Sequence, residues 1–387
     1  MTAERLILTA AVPMVLLAVA GCVAGCAASE PRVVARILSY NVHNLFDDVD
    51  DGGEYAEFTS DAGWTRDAYY RRLDRLGEAI RLVSAGRRLD IVTLQEVESA
   101  KVAADLARDF LRGFRYISGG PPGVSTTSVV VLSRRRPIRV RAHRVAELVV
   151  VPGSGGAAVA LRRPGRDAVD VTFSSPGLRL VAVHWKSQGG GEAATEPQRI
   201  LEAALVHDVI ADDAGPLPVI LVGDLNADVD QHRRFDRAWP TAIKRVEDVA
   251  DAARRFGPLR PGIRFVGAGT GDGGVTGDGG EPGDGGEPGD GGVTGDGSGG
   301  AASSALVFRS LWEGVPDGGT YRYRGEWSRL DQAFLHAPAS YAGTLEVGSH
   351  PTLTDRDGGP FGFSPRTGAG YSDHFPILVT LTTARGR

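Results

Sequence analysis

The sequence predicts an α/β protein with mixed β-sheets, and three observations carry that expectation. Short apolar runs that end in polar residues recur at Arg36–Asn41, Asp90–Glu96, Leu178–His184, Val219–Asp224 and Leu330–His336. A helical repeat stands between the first two, and the stretch after Pro197 reads as a second helix. Segments at Ser128–Val140 and Ala157–Phe173 look like hairpins, which makes the sheets mixed and not wholly parallel.

Each run is short, rich in Val, Ile and Leu, and bounded by turn residues, as a strand buried on both faces must be. In the first helix Tyr69, Leu73, Leu76, Ile80 and Val83 recur at steps of four and three, so one face is apolar. Thr65 is a ready N-cap and Gly86 a ready stop, which places the helix between them. With 387 residues and 42% hydrophobic content the chain has ample material for a buried core, which excludes global disorder. The formal charge is -5, but the Gly-rich stretch 267–300 alone holds five Asp and two Glu, so the folded part is close to neutral. Its basic residues are mostly Arg; Lys101, Lys186 and Lys244 are the lysines.

From Gly271 the chain runs as near-repeats of six residues, GDGGVT, GDGGEP, GDGGEP, GDGGVT and GDGSGG. Such a tract has too few apolar side chains to offset the entropy of ordering it, so disorder is expected. A calcium-binding β-roll would need a bulky apolar residue at every turn, and Val275 and Val293 are too sparse for that. Strand-like runs resume afterwards, so 267–300 is expected to be an insertion in one domain spanning 36–385.

The N-terminus reads as an export signal: Arg5 supplies the positive charge and Leu6 to Ala20 is an uncharged run too short for a comfortable membrane span. Val19-Ala20-Gly21-Cys22 and Val23-Ala24-Gly25-Cys26 each resemble the bacterial lipobox, in which the cysteine is lipidated after cleavage. Cys22 follows the apolar run directly and is the expected lipidation site, with 1–22 as signal and 23–35 as tether. The expected location is the bacterial cell envelope, with a lipid anchor holding the chain at the membrane. Cys22 and Cys26 are the only cysteines, so the domain holds neither a disulfide nor a thiolate metal site, and any metal must be bound by oxygen or imidazole.

Three polar signals stand where core strands surface: Gln95-Glu96, Gly223-Asp224-Leu225-Asn226 and Ser372-Asp373-His374. Mg2+ typically takes one or two carboxylates and leaves its other positions to water and substrate phosphate, a role open to Glu96 and Asp373. Asp224 is placed to serve as base for an attacking water, and the amide of Asn226 to hold that water or a phosphate oxygen without adding negative charge. His184 and His374 are candidates for binding phosphoryl oxygens as charge develops on them, with Asp331 orienting one imidazole. Taken singly each is ordinary, since an Asp after a strand is more often a turn or cap. The ordered set is the signal.

That set resembles the endonuclease/exonuclease/phosphatase superfamily. The resemblance spans roughly Arg36 to Thr382 and rests on LSYNVHNLFD at 38–47, DIVTLQEVES at 90–99, SVVVLSRRRPI at 128–138, VAVHWKS at 181–187, VILVGDLNAD at 219–228, GTYRYRGEWSRLDQAFLH at 319–336 and YSDHFPI at 371–377. It implies a four-layer α/β/β/α sandwich, two mixed β-sheets flanked by helices, with a metal-dependent phosphoesterase site at one sheet edge. By motif, Asn41 would orient phosphate or its neighbouring carboxylate, and Glu96 and Asp373 would bind the metal, Mg2+ with Mn2+ or Ca2+ as substitutes. His184 would contact the scissile phosphate, Asp224 activate water, Asn226 position it, and His374, oriented by Asp331, stabilise the transition state. Two departures stand out. Deoxyribonucleases pair the first histidine with an acid from an intervening segment, yet residues 110–146 here contain no Asp or Glu. The disulfides of secreted deoxyribonucleases are absent too.

An extracellular endonuclease or phosphodiesterase acting on nucleic acid is therefore expected first. A phospholipid (sphingomyelinase-like) or sugar-phosphate hydrolase is the rival within the class, and a non-catalytic adhesin or binding module on the same fold is the rival outside it. No protein partner is expected. The nucleic-acid reading leans on six arginines between Arg134 and Arg144, of which Arg139 and Arg141 share one face of an extended strand. They would track a polyanion only if that face adjoins the cleft; otherwise they are the charges of a solvated edge strand. Asp47, Asp48, Asp50 and Asp51 read as a solvated acidic turn before a cation loop, and Trp185 as either a packed aromatic or a cleft residue.

Overall fold

The computed structural model describes residues 31–119, 127–145, 150–152, 158–160, 165–213, 215–234, 240–257, 262–266 and 306–384. Cys22, Cys26, tether residues 23–30 and the 267–300 insertion lie outside them. In chain order the elements are β1 (Arg32–Leu45), α1 (Arg66–Ser84), β2 (Ile91–Val97), α2 (Ala100–Asp109), β3 (Tyr116–Gly119), β4 (Ser128–Ser133), β5 (Arg139–His143), β6 (Val150–Pro152), β7 (Ala158–Ala160), β8 (Ala168–Phe173), β9 (Leu178–His184), α3 (Glu192–Ala211) and β10 (Val219–Asp224). They continue with α4 (Gln231–Arg234), β11 (Ile243–Arg245), α5 (Val246–Phe256), β12 (Ile263–Val266), β13 (Phe308–Ser310), β14 (Tyr321–Tyr323), β15 (Glu326–Ser328), β16 (Asp331–His336), β17 (Tyr341–Val347) and β18 (Ile377–Thr383).

Two large sheets form, in the orders β17-β18-β1-β2-β4-β3 and β11-β12-β13-β16-β10-β9-β8-β5. Both are mixed: β1 runs parallel to β2 and β9 to β10, whereas β18 is antiparallel to β1 and β16 to β10. Side chains alternate across each strand, which explains the unbroken apolar runs. Ile37, Ile91 and Val131 point into a core shared with Leu180, Ala182 and Val222 of the other sheet. Their neighbours Leu38, Val92 and Leu132 pack under Leu73, Leu76 and Ile80 of α1 and Val102 and Leu106 of α2. On the far side Val181 and Leu221 pack under Ala203, Val206 and Ile210 of α3. Three apolar layers thus separate helix, sheet, sheet and helix, the expected four-layer sandwich.

Helix α1 follows its sequence signals. Thr65 accepts from the amide of Ala68, a cap worth about 1 kcal/mol, and Ala85 ends the helix at φ 48°, its amide bonding the carbonyls of Arg81 and Leu82. Four expectations change. β1 starts at Arg32, inside the stretch read as tether, because Arg32 pairs with Thr383 and Ala35 is fully buried. Ser128–Val140 is not a hairpin: β4 belongs to one sheet and β5 to the other, the chain crossing between them through Arg134–Pro137. Likewise β8 pairs with β5 and β9, not with β7, which pairs with β6. Helix α3 starts at Glu192, before Pro197, because the buried Arg199 guanidinium ties Glu192 O and Thr195 Oγ1 in the first turns to Lys186 O, with bonds of 2.9 Å each.

Phe265 of β12 pairs with Phe308 of β13, so the flanks of the 267–300 insertion already meet in a sheet. Closing a shorter loop between them changes the chain entropy little. Deleting Gly271–Gly300 is expected to give a protein with an unchanged far-UV circular dichroism spectrum and a cooperative melt; loss of either would make the tract part of the fold.

Candidate active site

The topology collects the polar strand ends at one edge. β1 and β2 run parallel and bring Asn41 and Glu96 to the same side, and parallel β9 and β10 do the same for His184 and Asp224. Antiparallel β16 begins there, with Asp331 directly opposite Asp224, and the segment before antiparallel β18 delivers Asp373 and His374. The sheet edges meet across the sandwich at Asn41, whose Nδ2 donates to Asp224 Oδ2 at 2.9 Å and to Glu96 Oε1 at 3.1 Å. Ser372 Oγ donates to Asn41 O at 2.7 Å, tying the Asp373-His374 segment to β1. Fully buried Arg72 of α1 donates to the carbonyls of Val42 and Tyr371, clamping the same two segments from behind.

The backbone is irregular where the site is built. The β1–β2 register slips between Asn41 and Leu45, and His43 (φ 51°), Asn44 (φ 59°), Glu96 (φ 64°) and Asn226 (φ 48°) are left-handed without being glycine. Bulges of this kind re-aim side chains beside active sites. Asn44 N holds Glu96 Oε2 at 3.0 Å and Asn226 N holds Asp224 Oδ1 at 2.9 Å, so the unusual conformations also fix the two carboxylates. Gly223 has a separate reason to be glycine: a Cβ there would sit 2.0 Å from Val183 O on the neighbouring strand.

Asp331 Oδ2 lies 2.7 Å from His374 Nδ1, and His374 Nε2 lies 4.0 Å from Asp224 Oδ2. Burial alone disfavours the imidazolium, but the charges of Asp331, Asp224 and Asp373 outweigh it and hold His374 well above the ordinary histidine range. Burial, reinforced by Asp331, pushes the Asp224 carboxyl up to about 7 against the pull of His374 and Asn41. His184 is the opposite case: burial and the charges of Arg166, His374 and Lys186 drive it well below the ordinary range, so it is neutral. Its Nε2 faces Asp224 Oδ2 at 3.5 Å and Glu96 Oε1 at 3.8 Å, while Nδ1 is buried without a hydrogen-bond partner among the described residues. The missing acid in 110–146 has its counterpart there.

A cleft of about 910 Å³ is lined by Asn41, Glu96, His184, Asp224, Asn226, Asp373 and His374, with Asp331 buried behind His374. All eight sequence-level candidates therefore gather in one place; Cys22 lies outside the described residues. The carboxylates of Glu96 and Asp373 are the more exposed ones, at 20% and 38%, and Asp373 Oδ1 lies 3.7 Å from His43 Nδ1. Both line the cleft, and two hard oxygen donors suit a divalent cation such as Mg2+, which Glu96 and Asp373 would hold. A separate acidic trio, Asp51, Glu54 and Glu98, has ligand atoms within 4.8 Å of one another but does not line the cleft.

Sequence reading missed the walls. Tyr321, Tyr323, Glu326, Trp327 and Ser328 of the β14–β15 hairpin line the cleft as well, and so do Ser187, Gln188, Glu192 and Arg234. The alternation in Thr320-Tyr-Arg-Tyr323 was a strand signal available to find the hairpin; nothing local marks the rest. Trp185 is a packed core residue, 2% exposed. Arg139 and Arg141 miss the cleft. Arg139 is level with Thr172 and thence Arg179, at the opposite end of β9 from His184, and both arginines face Asp213.

The chain matches the Endonuclease/Exonuclease/phosphatase family over residues 36–236. No curated protein matches. Among solved structures it is similar to an endonuclease/exonuclease/phosphatase family protein from Bacteroides thetaiotaomicron, at 19% identity and TM-score 0.47, covering 92% of this chain and 99% of that one. It is similar to a mannosyl-6-phosphatase from Bacteroides thetaiotaomicron VPI-5482, at 18% identity and TM-score 0.48, covering 90% and 99%. A humanized TDP2 from D. rerio gives 15% identity and TM-score 0.44, covering 90% and 99%.

Proposed function

Because the chain belongs to the endonuclease/exonuclease/phosphatase family, we propose that its cleft hydrolyses a phosphate ester with the help of a divalent cation, Mg2+ by the hardness of the donors. The observation that carries this reading is the pairing of a buried carboxyl near neutrality, Asp224, with a carboxylate-backed imidazolium, His374, across a joint held by Asn41. Two titratable groups pushed in opposite directions in one cleft are an acid–base arrangement. An adhesin built on the fold would have no use for it.

In this reading Asp224 takes a proton from water as the water oxygen bonds to phosphorus and the ester oxygen departs. Asn226, whose own amide is bonded to Asp224, holds that water in line. The imidazolium of His374 donates to the phosphoryl oxygens as their charge grows, and neutral His184, whose Nε2 also faces Asp224, supplies a further N–H. A cation at Glu96 and Asp373 would neutralise the phosphate. Arg139 and Arg141 do not line the cleft, so they lend no support to a nucleic-acid substrate.

The test is hydrolysis of p-nitrophenyl phosphate and bis(p-nitrophenyl) phosphate by the purified domain, titrated with Mg2+ and with chelator. Activity is expected to vanish with chelator, and Glu96→Gln is expected to raise the Mg2+ concentration for half-maximal rate, because a carboxylate ligand is lost. An unaltered titration removes Glu96 from the metal site, and no hydrolysis under any condition defeats the proposal.

We further propose export and lipid attachment at Cys22, on the N-terminal pattern alone. Among the described residues no helix is long and apolar enough to cross a membrane. Cys22→Ser is expected to abolish fatty-acid labelling in a bacterial host; labelling that persists or moves to Cys26 reassigns the anchor.

A further inference from the structure

The end of the molecule away from the cleft has a chemistry of its own. Asn41 and Glu96 stand at the cleft ends of β1 and β2, and the register Ile37↔Ile91↔Ser133↔Tyr116 sets the start of β2, the end of β4 and the start of β3 side by side at the other end. Arg88 precedes β2, Arg134, Arg135 and Arg136 follow β4, and Arg112 precedes β3. Arg134 ties them into one surface. Its Nε donates to Leu89 O at 2.7 Å and its Nη1 to Arg112 O at 2.9 Å, while its guanidinium lies 4.5 Å from the centre of the Phe114 ring. Burial, helped by the nearby charge of Arg88, pushes that guanidinium down.

Arg88, Arg112, Arg135 and Arg136 are exposed, and none of them forms an ion pair among the described residues. The nearby acids are already engaged: Asp109 is 2.6 Å from Arg108, and Asp90 Oδ2 accepts from Arg36 N at 3.0 Å. Like charges gathered without counter-charges favour an anionic partner. Directly after them come Ile138, 65% exposed, and Val140, 47% exposed, on the opposite side of the chain from Arg139 and Arg141. Aliphatic side chains gain nothing from a phosphodiester backbone. In a bilayer they enter the boundary between head groups and acyl chains while neighbouring arginines stay with the phosphates. The chain also enters the fold at this end, because Arg32 pairs with Thr383 on the side of Ile37 away from Asn41. Residues 23–31 separate it from Cys22, an extended reach on the order of 30 Å.

We infer that this arginine-rich end is a docking surface for a bilayer of anionic phospholipids, with Arg135 and Arg136 on the head groups and Ile138 in the boundary beneath them. The cleft then faces away from the membrane. The inference is separate from the hydrolase reading, and lipid attachment at Cys22 would strengthen the contact without being required for it.

The experiment is sedimentation of the purified domain from residue 31, which holds every described strand and helix, with vesicles of phosphatidylcholine alone or of equal parts phosphatidylcholine and phosphatidylglycerol. Salt is kept at about 0.1 M, where charges are felt over about 10 Å. That protein carries no lipid anchor and no turnover is read, so the result is independent of both earlier proposals. Binding is expected to the phosphatidylglycerol vesicles only, and is expected to weaken as salt is raised. Arg135→Glu with Arg136→Glu is expected to bind at least about tenfold more weakly, and Ile138→Ser about fivefold, the scale on which surface charges and buried aliphatic groups contribute. All three side chains are exposed, and an unchanged melting curve checks the fold. Arg254→Glu with Arg255→Glu changes the net charge equally on α5, beside β11 and β12 at the far edge of the larger sheet from β5, and is expected to bind as the native domain does. No binding to the anionic vesicles, equal binding to both kinds of vesicle, or equal loss in the two double variants overturns the inference. A single-stranded oligonucleotide that displaces the domain from the vesicles and binds Ile138→Ser at full strength overturns it in favour of a nucleic-acid track.

Discussion

Asp224→Asn is expected to lower kcat by at least roughly a hundredfold, the contribution of a positioned general base, and to leave the melting temperature unchanged or raised. Asp224 is 2% exposed and sits opposite Asp331 in the sheet, so its negative charge is costly in the folded state and an amide of the same shape relieves that cost. Asn in its place keeps a group for Asn41 and Asn226 to meet but cannot accept a proton from water. Because Asp224 must be ionised to act, and burial raises its carboxyl to about 7, kcat/KM in the native protein should fall as pH drops through the neutral range. Near-native turnover in the Asn variant, or melting lowered by many degrees, would show that Asp224 is a structural group and not the base.

The second large effect is expected at the Asp331–His374 pair. His374→Ala removes the imidazolium from the phosphoryl side and should cost roughly a hundredfold or more in kcat, on the scale of a lost transition-state donor. Asp331→Asn is the sharper probe because it leaves the imidazole in place. His374 acts as a cation, so activity is lost as pH rises through its folded value, and Asp331 is the largest of the charges that raise that value. The alkaline limb should therefore move to lower pH in the Asn variant. The same linkage has a stability consequence. A histidine whose folded value is raised stabilises the fold fully below its ordinary value of about 6.5 and loses that contribution as pH climbs through the folded value. The stability difference between native protein and Asp331→Asn should be largest in mildly acidic buffer and shrink towards alkaline pH. A limb that stays put, with a difference independent of pH, would mean that Asp331 does not charge His374.

Much was legible in the residues alone. Buried strands betray themselves by unbroken apolar runs, and α1 by its period and its Thr65 cap, because burial on both faces and a 3.6-residue repeat leave local marks. The polar residues at the strand ends were legible too, as an ordered set and not singly, since an Asp after a strand is more often a turn or cap. The partners of Ser128–Ser133 and Arg139–His143 were not. Two adjacent strands joined by a short link look like a hairpin whether they pair with each other or enter different sheets, and only the long-range ladder to β2 on one side and β8 on the other decides it.

The same division runs through the site. Sequence by itself marked Asn41, Glu96, His184, Asp224, Asn226, Asp331, Asp373 and His374, and the fold brings all eight to one edge. Tertiary structure alone decided what state they are in and what surrounds them. His374 is held charged by Asp331, Asp224 and Asp373, whereas burial and the charges of Arg166, His374 and Lys186 keep His184 neutral, a difference set by residues far apart in the chain. Arg139 and Arg141 lie away from the cleft, on the edge strand β5 and facing Asp213, because the ladder partners of a strand, invisible in the sequence, set what it adjoins. Charge state and distance depend on neighbours in space, and strand register supplies those neighbours only once the chain has folded.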